Sequence, residues 1–119
     1  MPKKIITVFG ATGAQGGSAI DALLKDDTYI IRGVTRKLGQ ERAAALETAQ
    51  GINIATAALG TLDTLEHLVY STLPDASRIT SGAVKTPHYE SKARVEEYIE
   101  SRPALRAVTT FVWPGFYAT

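Results

Sequence analysis

The chain has no cysteine, and that one absence removes a disulfide framework, a zinc-thiolate site and thiol nucleophilic chemistry together. It also lacks an apolar run long enough to span a membrane, and its start shows no charged-then-apolar secretory leader. Charge of one sign is missing too: thirteen basic and twelve acidic residues leave a net charge of +1. No basic stripe forms, so neither nucleic acid nor a membrane surface is an expected partner. There are no repeats or low-complexity tracts, and no cluster of side chains spaced to hold a metal. What remains is ordinary for a packed, soluble domain: 45% hydrophobic and 21% charged residues in a 119-residue chain, a length that reads as one domain. Met1-Pro2-Lys3-Lys4 leads directly into a strand pattern and reads as a mature start. The expected location is the cytoplasm, with the nucleus second.

The most informative stretch is Ile5-Ile6-Thr7-Val8-Phe9 followed by Gly10, Gly13 and Gly16 in a G-x-x-G-x-x-G spacing. Apolar and β-branched residues predict a buried strand, and a helical pattern follows the glycines. A strand, a tight turn and a helix start in this order make an anion site. The first N–H groups of a helix have no intrahelical partner, and the helix dipole adds positive charge there. Gly10 allows the turn, Gly13 lets backbone approach a pyrophosphate, and Gly16 lets helix and strand pack closely. With Thr12, Ala14 and Gln15 between them, these residues are the expected cofactor contacts.

Ala19, Ile20, Leu23 and Leu24 recur at helical spacing, and Asp26-Asp27 ends that helix as a solvated turn. Tyr29 to Thr35 reads as the second strand. Gln40 to Gln50 reads as a helix capped by Gly51, and Ile52-Asn53-Ile54-Ala55-Thr56-Ala57 as a third strand. This βαβαβ succession is half of a dinucleotide-binding fold, so the expected class is α/β: a Rossmann-like, doubly wound parallel sheet.

The end of the second strand selects the cofactor. An NAD site usually carries Asp or Glu about 20 residues past the glycines, on the ribose 2′-hydroxyl. Here that position is Arg36, followed by Lys37, with no acid nearby. Guanidinium and ammonium groups attract a 2′-phosphate that a carboxylate repels. Thr35 adds a hydroxyl. NADP(H) is therefore the expected cofactor, with NAD as the alternative.

Beyond the third strand the order breaks. Only Ala58 to Glu66 precede the next apolar run, His67-Leu68-Val69-Tyr70-Ser71, whereas a parallel crossover needs about a dozen residues or more. A strand is expected at 67–72; a short helix over Thr61–Tyr70 is the alternative. Leu73 to Ser77 reads as a turn, and a polar loop continues to Thr86. A helix then starts at Thr86-Pro87, with Glu90 in its first turn, an inner face of Val95, Tyr98 and Ile99, and a Glu90–Arg94 pair outside. Arg102-Pro103 ends it, and Val108 to Trp113 is a last strand.

Several stretches together resemble the NmrA-like family of atypical short-chain dehydrogenases/reductases: V-F-G-A-T-G-A-Q-G-G-S, V-T-R-K, E-H-L-V-Y-S-T-L-P-D-A-S, P-H-Y-E-S-K-A-R-V-E-E-Y-I and F-V-W-P-G-F-Y. The resemblance implies a Rossmann domain with a small C-terminal region. It also implies either an NADP-dependent reductase or a protein that senses the cofactor and binds regulatory protein partners. Against that pattern, the fourth strand and its helices are expected to be missing between Ala58 and Glu66, and the region beyond Phe116-Tyr117 is missing as well. Such a chain looks like a truncated or alternatively spliced product, or a gene-model error.

Typical reductases of the group use Tyr-x-x-x-Lys. Here Lys92 has His88 four residues before it and Tyr89 three before, so the imidazole shares a helical face with the lysine. The resemblance implies Lys92 and Phe116 as cofactor contacts, and Lys92 as a catalytic candidate. His88 is the weaker candidate acid, set against a surface histidine at a helix start. Ser71 and Thr72 fall where the reductases' substrate-binding serine would come. Tyr89 and Tyr98 read as packing residues, His67 as a strand-end residue and Glu96-Glu97 as helix surface. A cofactor-sensing binding module ranks first, an NADP-dependent oxidoreductase second and a non-functional truncated product third.

Overall fold

Ile5 to Phe9 adopt the strand that their β-branched run predicts. In the computed structural model, which describes residues 2–34 and 44–115, β1 spans Lys4–Phe9, α1 spans Ala14–Leu24 and β2 spans Tyr29–Val34. These elements form the first of two compact units, Met1–Glu41 and Arg42–Thr119. β1 and β2 pair in parallel, Ile5 opposite Ile30 and Phe9 opposite Val34. Side chains alternate across a strand, so Ile6, Val8 and Ile31 are half-buried while Ile5 and Ile30 stay exposed. Asp26-Asp27 is a turn, as expected: the Asp26 carboxylate accepts the Thr28 N–H at 3.0 Å and the Thr28 hydroxyl, and Asp27 pairs with Lys3.

The second unit contains α2 (Ala44–Leu59), β3 (Leu68–Ser71), α3 (Ala76–Ile79), α4 (Pro87–Glu100), α5 (Pro103–Arg106) and β4 (Thr109–Val112). β3 and β4 also pair in parallel, Leu68 opposite Thr109 and Ser71 opposite Val112. The described residues are thus α/β with parallel strand pairs, a partial Rossmann-like fold. The expected strand at 67–72 is present, and the alternative helix at 61–70 is not.

The expected third strand, Ile52 to Ala57, is instead the second half of α2. Alternating Ile52 and Ile54 suggested period two. The positions that pack on the core are Ile52, Ala55, Ala58 and Leu59, which is helical period. Gly51 does not cap a helix; it lies inside one, where a β-carbon would meet Val95 Cγ2 at 2.4 Å. The glycine is there for close packing of α2 on α4. Residues 60–67 form a short connection from helix to strand, with Leu65 N–H bonded to Thr61 O at 2.7 Å and Leu62 and Leu65 packed on the core.

The core of this unit is Ala55, Val95, Ile99 and Leu105, with Leu68, Tyr70 and Phe111 against it from the sheet. Val95, Ile99 and Leu105 are 1%, 0% and 0% exposed, and each such burial stabilises by about 1.5–3 kcal/mol. Pro103 does more than end α4: placed at the start of α5, it directs Leu105 into this core. α3 replaces the expected loop because Asp75 caps it, accepting the Arg78 N–H at 3.1 Å. α4 begins at Pro87 as expected, but the Thr86 side chain makes no capping bond. Arg94 pairs with Glu97 at 3.3 Å rather than with Glu90, whose carboxylate turns partly inward.

Candidate functional site

The glycine turn is built by backbone contacts. Gly10 takes φ +71°, in the left-handed region where glycine is favoured. Its carbonyl accepts the Gly13 N–H at 3.0 Å, which brings the chain around to α1. A β-carbon on Gly16 would lie 2.1 Å from that same carbonyl oxygen and 2.8 Å from the carbonyl carbon. Only a residue without a side chain lets α1 sit this close to the turn. The Ala11 N–H bonds to Val34 O at 3.1 Å, which ties the turn to the end of β2. Gly33 was not singled out from sequence, yet a β-carbon there would press on Ala11 Cβ at 3.0 Å.

The start of α1 has no side-chain cap among the described residues. Gly13 is its N-cap and offers no side chain, the first turn holds no acidic residue, and the first helical bond is Gly17 N–H to Gly13 O at 2.8 Å. Thr12 and Ala14 are exposed, and Gln15 and Gly16 are half-buried. Helix-start N–H groups, a positive dipole end and no competing carboxylate fit a pyrophosphate. An anion can therefore be held at this turn.

The remaining candidates lie in the second unit, at or near the start of α4 and the end of β3. Ser71 closes β3, half-buried. Thr72 is fully buried; its N–H bonds to Val112 O at 2.9 Å, but its hydroxyl has no partner. Thr86 Oγ1 and Glu90 Oε1 are likewise enclosed without a hydrogen-bond partner. Buried polar atoms normally find partners, so these three oxygens are candidate ligand contacts. Sequence reasoning weighed Thr72 and saw in Thr86 and Glu90 only a cap and a first-turn charge. Lys92 is half-buried on α4, and His88 is exposed one turn before it, its ring 6.5 Å from that of Tyr89. Tyr98 packs against the core as expected, while Tyr89 is 39% exposed. His67 Nε2 and Thr110 Oγ1 are 2.8 Å apart across the β3–β4 pair. No group of His, Asp and Glu able to hold a metal occurs among the described residues, and no helix among them is long and apolar enough to cross a membrane. Thr35, Arg36, Lys37 and Phe116 lie outside the described residues.

Two overlapping stretches, residues 2–66 and 42–119, match the model of the NmrA-like family. The chain belongs to that family. It is 38% identical over 95 residues to NmrA-like family domain-containing protein 1 of Rattus norvegicus, covering 80% of this chain and 51% of that protein. It is 29% identical to the NmrA-like family domain-containing oxidoreductase notA of an Aspergillus species, covering 81% of this chain and 42% of that protein. A third relative, the NmrA-like family domain-containing protein DDB_G0286605 of Dictyostelium discoideum, is 25% identical, with 98% of this chain and 52% of that protein covered. The family is an NAD(P)-binding one of oxidoreductase type.

This NmrA-like chain spans about half the length of the relatives it matches. The Dictyostelium alignment runs over 160 positions against 119 residues, so at least 41 positions of that relative have no counterpart here. The second family match begins at residue 42, where the second structural unit also begins. The first family match runs on to residue 66, so the two matches overlap over residues 42–66.

Proposed function

We propose that this NmrA-like chain binds NADP(H) and serves as a cofactor-sensing or regulatory binding module for a protein partner. The observation that carries the reading is the α1 N-terminus: uncapped, free of acid, and held against the Gly10 carbonyl by Gly16. Gly10, Gly13 and Gly16, with Thr12, Ala14 and Gln15, would hold the pyrophosphate. Arg36 and Lys37 would meet the 2′-phosphate, and Lys92 and Phe116 would contact the rest of the cofactor. In this reading the two units act together as one NAD(P)-binding domain. The sequence lacks Tyr-x-x-x-Lys around Lys92, which favours binding over turnover. Calorimetric titration with NADPH and NADH tests it: saturable binding, tighter for NADPH, is expected. The absence of saturable binding to either overturns it and favours a non-functional truncated product.

The second reading is an NADP-dependent oxidoreductase. It is supported by the oxidoreductase names of several relatives and by the i,i+4 placing of His88 and Lys92 on α4. Bound NADPH would supply the hydride, and this chain's part would be a proton donor and a lysine that orients the ribose. Steady NADPH oxidation by quinones or enones, lost in Lys92→Ala, would promote this reading over the first.

A further inference from the structure

The second unit carries a groove of about 160 Å³ between α3 and α4, with Leu73, Pro74 and Ile79 on one side and Trp113 beyond the end of β4. Its apolar surface is open to water: Ile79 is 69% exposed and Trp113 60%. Exposed apolar surface rimmed by charge is characteristic of interaction sites.

The α4 wall of the groove is electrostatically unfavourable as it stands. Glu96, Glu97 and Glu100 line it, and Glu97 is paired with Arg94 at 3.3 Å. Glu96 and Glu100 have no ion-pair partner among the described residues. They stand four apart on one helix, where like charges repel. They also fall in the C-terminal half of α4, whose last turn has no basic residue to meet the negative end of the dipole. On the opposite wall Arg78 is the cation among the described lining residues, with Asp75 beside it, so negative charge remains in excess. A cation brought in from outside would relieve both the repulsion and the dipole mismatch.

Size and shape then select the kind of cation. The groove is neither enclosed nor flat, and apolar side chains and carboxylates line it together. Apolar and cationic side chains alternating along one backbone suit that arrangement better than an isolated amine. Arginine suits it best, because its planar guanidinium can pair with a carboxylate and stack on an indole face.

We infer that this groove docks a basic peptide segment of a partner protein, an apolar side chain resting on Ile79 and Trp113 and its cations set against Glu96 and Glu100. All of these residues belong to the second unit, so the inference does not rest on the cofactor reading, and its test is run without cofactor.

Trp113 is the chain's one tryptophan, so its emission reports on the groove directly. The probe is the amidated peptide Arg-Leu-Arg-Arg-Leu-Arg, titrated into the full chain, with Glu-Leu-Glu-Glu-Leu-Glu and arginine amide as controls. A saturable emission change is expected for the basic peptide alone. It should weaken about tenfold or more in the double variant Glu96→Gln/Glu100→Gln and weaken again as salt rises. Both substitutions are isosteric and lie outside the buried core, and retained helical circular dichroism confirms a folded comparison. The inference is overturned by no saturable change, by equal binding of the acidic peptide, or by undiminished affinity in the double variant. An equal response to arginine amide at matched concentration would mark a small-cation site instead. Emission that depends on protein concentration without peptide would mark self-association. Either result also overturns it.

Discussion

A β-carbon placed on Gly51 would stand 2.4 Å from Val95 Cγ2 and 3.2 Å from Cγ1. Gly51 lies inside α2, and Val95 is 1% exposed on α4, so the two helices meet at this point with no slack. Two effects oppose each other in Gly51→Ala. Alanine is better than glycine in a helix interior by about 0.5–1 kcal/mol. Overpacking a core costs about 1–3 kcal/mol, and a valine locked among Ala55, Ile99 and Leu105 cannot swing aside. The second effect wins, so Gly51→Ala should lower stability by about 1–2 kcal/mol in chemical denaturation. Combined with Val95→Ala, the loss should be less than the sum of the two single losses, since the smaller side chain makes room. A more stable Gly51→Ala protein would contradict this packing.

Gly16 and Gly10 separate two uses of glycine within one turn. At Gly16 the obstacle to a side chain is backbone, the Gly10 carbonyl oxygen at 2.1 Å, and backbone cannot rotate out of the way. At Gly10 there is nothing within 4 Å, and only its φ of +71° resists substitution, at about 1–2 kcal/mol. Gly16→Ala should therefore displace α1 from the turn, abolishing NADPH binding and lowering the thermal midpoint. Gly10→Ala should lose stability yet keep measurable binding. Equal NADPH affinities for the two variants would sink the geometric account of the turn.

The first unit was legible because its signals are local. β-branched runs, three glycines and an amphipathic helix each act within a few residues, and β1, α1 and β2 fall where they predict. Residues 50–66 were not legible, because what decides them lies far along the chain. Ile52 and Ile54 alternate like a strand, and Gly51 looks like a cap, until Val95 on α4 is brought against them. Tertiary packing overrode a short-range pattern there. The candidate site divides the same way. The geometry of the glycine turn was readable from spacing alone: Gly10, Gly13 and Gly16 fall where β1 passes into α1. The enclosed oxygens of Thr72, Thr86 and Glu90 were not, since burial without a partner is a property of the packed unit.

Tyr98 gives a pH test of how α2 meets α4. Its hydroxyl is 2.9 Å from Thr56 Oγ1 on α2, and the Arg102 guanidinium lies 4.7 Å from its ring centre. The Thr56 hydroxyl is the largest influence and favours the phenolate; burial opposes it, Arg102 adds smaller favourable contributions, and together they hold the pKa below the ordinary 10.0. The sign follows from proton counts: between the lowered value and 10.0 the unfolded chain binds more protons than the folded one, so stability rises with pH in that window. The contribution is complete above the unfolded value and is lost as pH falls through the folded one. Thr56→Val should move the phenolate absorbance transition of Tyr98 upward and flatten this rise, with Tyr98→Phe identifying which of the chain's tyrosines is responsible. An unchanged transition in Thr56→Val would assign the shift to Arg102 instead.

Arg36 tests the cofactor reading at the group that distinguishes the two dinucleotides. It stands twenty residues after Gly16, the place of the ribose-binding acid in an NAD site. A hydrogen bond to a charged group is worth about 1.5–3 kcal/mol, and each 1.4 kcal/mol is about tenfold in affinity. Arg36→Glu should thus weaken NADPH binding about 10- to 100-fold, with repulsion between carboxylate and phosphate adding to the lost bond. NADH has no 2′-phosphate to repel, and the new carboxylate can accept its ribose 2′-hydroxyl, so its affinity should hold or improve and the preference should invert. Added salt should narrow the difference between the parent chain and the variant for NADPH and leave it nearly unchanged for NADH, because only the first carries the additional charge. Calorimetry of both cofactors against both proteins checks each expectation. Equal losses for NADPH and NADH would show that Arg36 does not read the phosphate.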